Sequence, residues 1–157
     1  MEDAAQAERE LVQQIAAVFE HAGFAPVAGR IIGRLMLCDP PHQSSAELAS
    51  YLSASKGAIS TSTRMLMHAG MVERVRLPSD RSSYFRIHAG CWNEMMHAEA
   101  QRIRRLRRIG DEALAFLEAT GADPSRSARI REFRDFNSFF ETEFPALLAR
   151  WDARDTA

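Results

Sequence analysis

The segment 45–87 constrains the fold of this chain more than any other part of the sequence. It reads SAELASYLSASKGAISTSTRMLMHAGMVERVRLPSDRSSYFRI. A short amphipathic helix is predicted first, because Ser44 or Ser45 can cap its start and apolar residues follow at helical spacing. The serine-containing stretch 53–55 predicts a turn, and a second helix is predicted over 56–69. Two short helices joined by a three-residue turn form a helix–turn–helix.

A β-hairpin is predicted directly after the second of these helices. Residues 71–77 alternate between apolar and charged side chains, which is the period of a strand with one solvated face. Proline, serine and aspartate in 78–82 favour a turn, and 83–88 is predicted as the returning strand. The order helix, turn, helix and hairpin is that of a winged helix.

The rest of the chain is predicted to be helical. Apolar residues recur at three- and four-residue steps on both sides of the central segment, and prolines and glycines mark the ends of the helices. We therefore expect a mainly α fold: a winged helix-turn-helix with a β-hairpin wing over 25–90, and helical regions over 1–24 and 91–157. The flanking helices are predicted at 4–22, 26–38, 91–119 and 124–152.

Charge and composition favour a binding protein over an enzyme. Region 25–90 has eight Lys and Arg against four Asp and Glu, although the whole chain has a net charge of −1, and a local basic excess is typical of a module that contacts nucleic acid. The five histidines lack metal-ligand spacing, and there is no glycine-rich phosphate loop or triad. We expect no catalytic residue, metal or cofactor. The absence of a long apolar run or signal pattern predicts a cytoplasmic protein without membrane contact.

The predicted helix 56–69 has two different faces. Ile59, Ser62, Leu66 and Ala69 are expected to pack inward. The other face carries small, hydroxyl and basic side chains, which allow close approach to a groove floor and donate to phosphates or base edges. With the turn and the wing, the predicted contacts to double-stranded DNA are Ser55, Lys56, Gly57, Ser60, Thr61, Arg64, His68, Arg76 and Arg81.

Each of these contacts has an alternative interpretation. The face could be an ordinary solvated helix surface, and Arg74, Arg76 and Arg86 could lie on a solvated sheet face. However, a Ser-Thr-Ser-Thr run is a poor choice for a helix centre, which favours a surface that contacts a partner. A winged-helix module for protein interaction, without specific DNA binding, is the alternative function.

The central region resembles the winged helix of GbsR-type regulators, a branch of the MarR-like transcriptional regulators. The resemblance rests on the G-R-I-x-G pattern at Gly29–Gly33, the L-x-x-S-K-G-x-I-S pattern at Leu52–Ser60, and Gly70–Val72. A wing with Asp80–Arg81 followed by Tyr84 completes it. Ser82 departs from the family, in which a second basic residue is common after Asp-Arg.

The resemblance implies a homodimer whose terminal helices intertwine. Regions 1–24 and 91–157 would then form the dimerisation region, and two winged helices would bind a pseudo-palindromic operator. Members of the family act mainly as repressors, and some respond to a small-molecule effector such as choline. The ligand-binding residues of this chain are unknown at this stage.

Two further features remain open in the sequence. Aromatic residues recur along 133–151 and predict a dimer core, with a cage for a cationic ligand as the alternative. Trp92, Met95 and Met96 are a second candidate lining for a ligand pocket. Cys38 lies at an apolar helix end and is expected to be a small buried residue, and redox sensing by Cys38 or Cys91 is the alternative.

Overall fold

The computed structural model describes residues 2–78 and 82–154 and contains two compact units, 1–91 and 92–157. The first unit contains four helices and a small sheet, and the second is formed by two long helices. The helices are α1 Glu2–His21, α2 Pro26–Leu37, α3 Ser45–Tyr51, α4 Lys56–His68, α5 Cys91–Ala119 and α6 Pro124–Asp152. The mainly helical winged-helix fold predicted from the sequence is confirmed, and the predicted helices agree with these bounds to within a few residues.

Helices α1 and α2 approach each other closely because two glycines of α2 face α1. A Cβ atom added to Gly29 would lie 2.9 Å from the carbonyl oxygen of Ala16, and one added to Gly33 would lie 2.9 Å from that of Val12. Val12 and Ala16 are each 1% exposed. The glycines of the G-R-I-x-G pattern therefore have a packing role.

A polar cluster also joins α1 to α2 and α3. The Glu8 carboxylate of α1 accepts a hydrogen bond from the Arg34 guanidinium of α2 and another, at 2.9 Å, from the Tyr51 hydroxyl of α3. The guanidinium carbon of Arg34 lies 4.2 Å from the centre of the Tyr51 ring. Burial and the bond to Glu8 raise the pKa of Tyr51, because both disfavour the phenolate.

The predicted helix–turn–helix is present with its expected caps. Ser44 caps α3 through a reciprocal capping box with Glu47. The backbone amide of Ser44 donates to the Glu47 carboxylate and thereby lowers the pKa of Glu47. Ser53 in the turn adopts a φ of 50°, and Ser55 caps α4 by accepting a hydrogen bond from the amide of Ala58 at 3.2 Å. Leu48 and Leu52 are buried.

The wing belongs to a sheet with one more strand than the sequence predicted. Strands β2 Val72–Arg76 and β3 Ser83–Ile87 pair antiparallel, and the two-residue strand β1 Gln43–Ser44 pairs with the other edge of β3, giving the order β1-β3-β2. The sheet thus connects the start of α3 to the wing, and Phe85 is 2% exposed at its centre.

In the second unit, α5 and α6 pack against each other at a small residue. A Cβ atom at Gly110 would lie 2.8 Å from the Cβ atom of Arg134. Arg107 forms ion pairs with Asp111 on its own helix and with Glu141 on α6. The described residues include no helix that is long and apolar enough to cross a membrane.

Candidate nucleic-acid interface

The N-terminus of α4 is open to the surface. Lys56 and Gly57 are exposed in the first turn, directly after the Ser55 cap. A Cβ atom at Gly57 would meet nothing closer than the Ser55 hydroxyl oxygen at 3.9 Å. No internal contact therefore requires glycine at this position. The absence of a side chain at Gly57 would, however, let a partner approach the start of α4 more closely.

The two faces of α4 are divided largely as the sequence predicted. Ile59 and Leu66 are completely buried and Ser62 is 6% exposed, whereas all five predicted outward residues are exposed: Gly57, Ser60, Thr61, Arg64 and His68. The expectation that Ala69 packs inward is wrong. Ala69 caps the C-terminus of α4 and is exposed, because the helix ends there.

Thr63 takes the inward position that the prediction omitted. It is 2% exposed, and its hydroxyl donates to the carbonyl oxygens of Ile59 at 2.9 Å and Ser60 at 3.2 Å. Two members of the hydroxyl-rich run 60–63 thus face the core, and Ser60 and Thr61 face outward. The hydrogen bonds of Thr63 thus partly explain why residues of poor helix propensity occur in this run.

Arg64 is the long cationic side chain at the middle of the exposed face. Its Nη2 atom lies 3.5 Å from the Ser60 hydroxyl one turn earlier, at the limit of a hydrogen bond. A guanidinium has five donors in a planar fork, so this single long contact leaves most of its hydrogen-bonding capacity for a partner. His68 follows one turn later on the same face.

Met65 is an exposed residue that the sequence analysis did not assign. Its side chain is 38% exposed, and it lines a shallow depression of about 360 Å³ together with Thr61, Arg64 and His68. The helical spacing predicts that Met65 lies beside these residues, because it is four residues after Thr61 and three before His68. Met65 was not among the predicted contacts because these were limited to small, hydroxyl and basic side chains.

The arginines of the wing differ in their surroundings. Arg76 is exposed on β2, and the guanidinium carbon of Arg74 lies 5.7 Å from the centre of the Phe85 ring. Arg86 instead donates to the Glu73 carboxylate at 2.7 Å, which lowers the pKa of Glu73. Arg76 is therefore a better candidate for a phosphate contact than Arg86.

Two residues that the sequence predicts at the tip of the wing, Asp80 and Arg81, are not among the described residues. The expected contact of Arg81 therefore remains a prediction from the sequence alone.

Apolar side chains of the second unit remain at the surface. Phe136 and Phe139 of α6 are 63% and 62% exposed, and the ring centres of Phe136 and Phe140 are 4.9 Å apart. Trp92, Met96 and Trp151 are among the residues that line an apolar cavity of about 330 Å³ in this unit. The Phe140 ring also contacts that of Phe139, with ring centres 5.4 Å apart.

Cys38 and Cys91 are both buried. Burial raises the pKa of the Cys38 thiol, which disfavours the reactive thiolate. The prediction that Cys38 is a small buried residue is confirmed.

Comparison with known proteins identifies the family. A family model described as MmpR5-like MarR family transcriptional regulator matches residues 90–154. The HTH-type transcriptional regulator MmpR5 of Mycobacterium tuberculosis (strain ATCC 25618 / H37Rv) is 41% identical over 146 residues, covering 92% of this chain and 87% of that protein. This chain belongs to the MmpR5-like MarR family of transcriptional regulators.

A solved structure also matches this chain over nearly its whole length. A crystal structure described as a transcriptional regulator is 39% identical, with a TM-score of 0.70, and the match covers 94% of this chain and 99% of that one. The family consists of DNA-binding transcriptional regulators rather than enzymes. The MarR-like resemblance seen in the sequence is confirmed, whereas the narrower GbsR-type assignment stays a prediction.

Proposed function

We propose that this MmpR5-like MarR family member is a homodimeric repressor that binds a pseudo-palindromic operator through the exposed face of α4. The observation that carries the proposal is the composition of this face. A helix held by a buried opposite side presents Lys56, Arg64 and His68 among hydroxyl groups and a glycine. Cations give affinity for phosphates, and hydroxyl and guanidinium groups can contact base edges.

The proposed DNA contacts have separate roles. Lys56 and the Ser55 region lie at a helix N-terminus, where the positive end of the helix dipole favours a phosphate. Gly57 would allow α4 to approach the major groove closely, and the hydroxyl groups of Ser60 and Thr61 would contact it. Arg64 would contact a guanine or a phosphate. His68 and Arg76 would contact the DNA backbone beside the groove, and Arg81 would contact the adjacent minor groove or its phosphates.

The proposed homodimer is supported by exposed apolar faces in both units. Leu11 and Val18 of α1 are 48% and 68% exposed, and α6 exposes Phe136 and Phe139. Large apolar residues grouped on one surface indicate a protein interface. We therefore retain 25–90 as the DNA-binding domain and 1–24 with 91–157 as the dimerisation region.

The proposal extends to the location and control of the protein. A DNA-binding repressor of this kind would act in the cytoplasm. A small-molecule effector would change the spacing of the two DNA-binding helices, and the apolar cavity near Trp92 and Trp151 gives such a molecule one place to bind.

A genomic pull-down followed by gel-shift assays tests this function. We expect a dyad-symmetric site with half-sites about one helical turn, ~10 bp, apart, and affinity that falls as salt rises because bound phosphates release counterions. Reporter expression from the bound promoter should rise when the protein is deleted. Uniform binding to every DNA sequence, or none, would instead support the alternative of a protein-interaction module.

A further inference from the structure

We propose that Met65 is a specificity-determining residue that contacts the C5-methyl group of a thymine in each half-site of the operator. This inference rests on the proposed function, because it requires α4 to lie in a major groove. It adds a residue with a different chemistry from the hydroxyl and basic contacts already described.

The position of Met65 on α4 is the first argument. The residue lies between Thr61, one turn earlier, and His68, one turn later, and all three are exposed. At about 100° per residue, Met65 lies about 40° from Thr61 and about 60° from His68 around the helix axis, at one side of the face that would enter the groove. The opposite side of the helix is fixed by the buried Ile59 and Leu66, so the helix cannot turn to bury Met65 without exposing them.

The chemistry of its surroundings is the second argument. Among the exposed residues of α4, Met65 is the large hydrophobic one, with 38% of its surface exposed. A second protein surface is a poor occupant, because Arg64 and His68 flank the thioether and would be desolvated with it. DNA satisfies both kinds of group, since its backbone is anionic and thymine presents a methyl group in the major groove.

The local shape is the third argument. Met65, Thr61, Arg64 and His68 line a shallow concave surface of about 360 Å³. The Thr61 methyl group and the flexible Met65 side chain can enclose a methyl group there, because methionine adapts to irregular apolar contacts. Thus the depression has an apolar floor with a cation at its edge.

Neighbouring positions on the helix also limit where the thymine lies. Met65 follows Arg64 directly, so their Cα atoms are about 3.8 Å apart, which is comparable to the roughly 3.4 Å between stacked base pairs. The two side chains therefore reach the same or adjacent base pairs. A thymine at or beside the base pair contacted by Arg64 is expected in each half-site.

Replacement of thymine by deoxyuridine tests this inference, because it removes only the C5-methyl group. In the operator identified by pull-down, each symmetry-related pair of thymines is replaced in turn and the dissociation constant is measured. For the wild-type protein we expect one pair to matter: burial of one methyl group changes affinity about fourfold per half-site, hence about sixteenfold for both.

Variants of Met65 decide whether that sensitivity belongs to this side chain. Met65→Gln keeps an unbranched side chain of similar length but removes its apolar end, and it should abolish the sensitivity to deoxyuridine. Met65→Leu keeps an apolar side chain and should retain it. Met67→Gln, two positions along the same helix and half-buried, is the matched control and should retain it as well; circular dichroism verifies that every variant is folded.

The outcomes separate the two proposals. Equal sensitivity to deoxyuridine in the wild-type protein and Met65→Gln, or no sensitive thymine at all, would overturn the role of Met65 and leave the proposed repressor intact. A wild-type protein that selects no operator would overturn the proposed function, and the role of Met65 with it.

Discussion

Individual residues of α4 perform either a packing or a surface role, and the distinction decides which substitutions affect DNA binding alone. Thr63 and Ser62 belong to the same hydroxyl run as Ser60 and Thr61, yet the first two are buried and the last two exposed. Substitution of Thr63 would disturb the internal bond to Ile59. Only the exposed members can test a contact with DNA.

Arg64 is the residue for which the expected loss is largest. If its guanidinium donates to a guanine in bidentate geometry, Arg64→Ala should weaken operator binding by about 1–3 kcal/mol, roughly a 5- to 150-fold change in Kd. Arg64→Lys should recover only part of this loss, because a lysine ammonium lacks the fork of donors. Fluorescence anisotropy with operator and scrambled DNA measures the effect.

A matched control for Arg64 is Arg131→Ala, which removes an exposed arginine from α6. It should leave the ratio of specific to non-specific affinity unchanged. If Arg64→Ala weakened binding to operator and scrambled DNA equally, Arg64 would be assigned to a phosphate rather than a base.

At the level of elements, the sequence predicted the helices well because their caps and breakers are local. The Ser44–Glu47 capping box, the Ser55 cap and the Gly70 terminator all depend on residues within one turn. Strand β1 was missed for the opposite reason. Two residues have no periodicity, and Gln43 and Ser44 become a strand only because β3, about 40 residues later, lies beside them.

The face of α1 that packs inward, like strand β1, is determined by contacts between residues far apart in the sequence. An apolar stripe on α1 includes Leu11 and Val18, but Val12 and Ala16 are the residues that pack against α2. The glycines of α2 select this face because only there can the two backbones approach closely. The remaining stripe is left at the surface, where the proposed dimer would cover it.

Glycine substitutions separate packing from DNA approach. Gly33→Ala places a Cβ atom 2.9 Å from the Val12 carbonyl oxygen, so the free energy of unfolding should fall by roughly 1–3 kcal/mol. Gly57→Ala places a Cβ atom in open space and should not lower it, since alanine favours helix over glycine. Urea unfolding at pH 7 measures both.

Gly57→Ala serves as the control for stability and as a test of the interface. Its operator affinity should fall although the protein is as stable as the wild type, because the added methyl group separates the start of α4 from the DNA. Unchanged affinity would show that the start of α4 does not approach the groove closely. A loss of stability in Gly57→Ala would mean that Gly57 has a packing role.

At the level of the whole molecule, α6 leaves an apolar surface exposed that the proposed homodimer would cover. Phe136 and Phe139 each expose more than 60% of their surface, while Asn137 between them is 4% exposed. The aromatic side of α6 borders α5 at Phe136, which lines a cavity of about 420 Å³ with Ile103 and Leu106, and it is exposed at Phe139. A second copy related by two-fold symmetry would cover this side on both chains, because the same patch appears twice in such an interface.

Disruption of that surface tests the dimer and its consequence for DNA binding together. Burial of a phenylalanine side chain contributes about 1.5–3 kcal/mol, so Phe136→Asp with Phe139→Asp should remove four rings from a symmetric interface and shift the protein to a monomer in light scattering. Thr142→Asp adds a carboxylate to an exposed polar site on α6 and should leave the dimer intact.

The monomer should also bind the operator more weakly, because two half-sites contacted by separate molecules lose the effective concentration that a dimer provides. Binding to a single half-site should be the same for the double variant and for Thr142→Asp, since α4 is unchanged in both. A double variant that remained dimeric would exclude this face of α6 from the interface. A monomer that bound the full operator as tightly as the wild type would show that the two DNA-binding helices act independently.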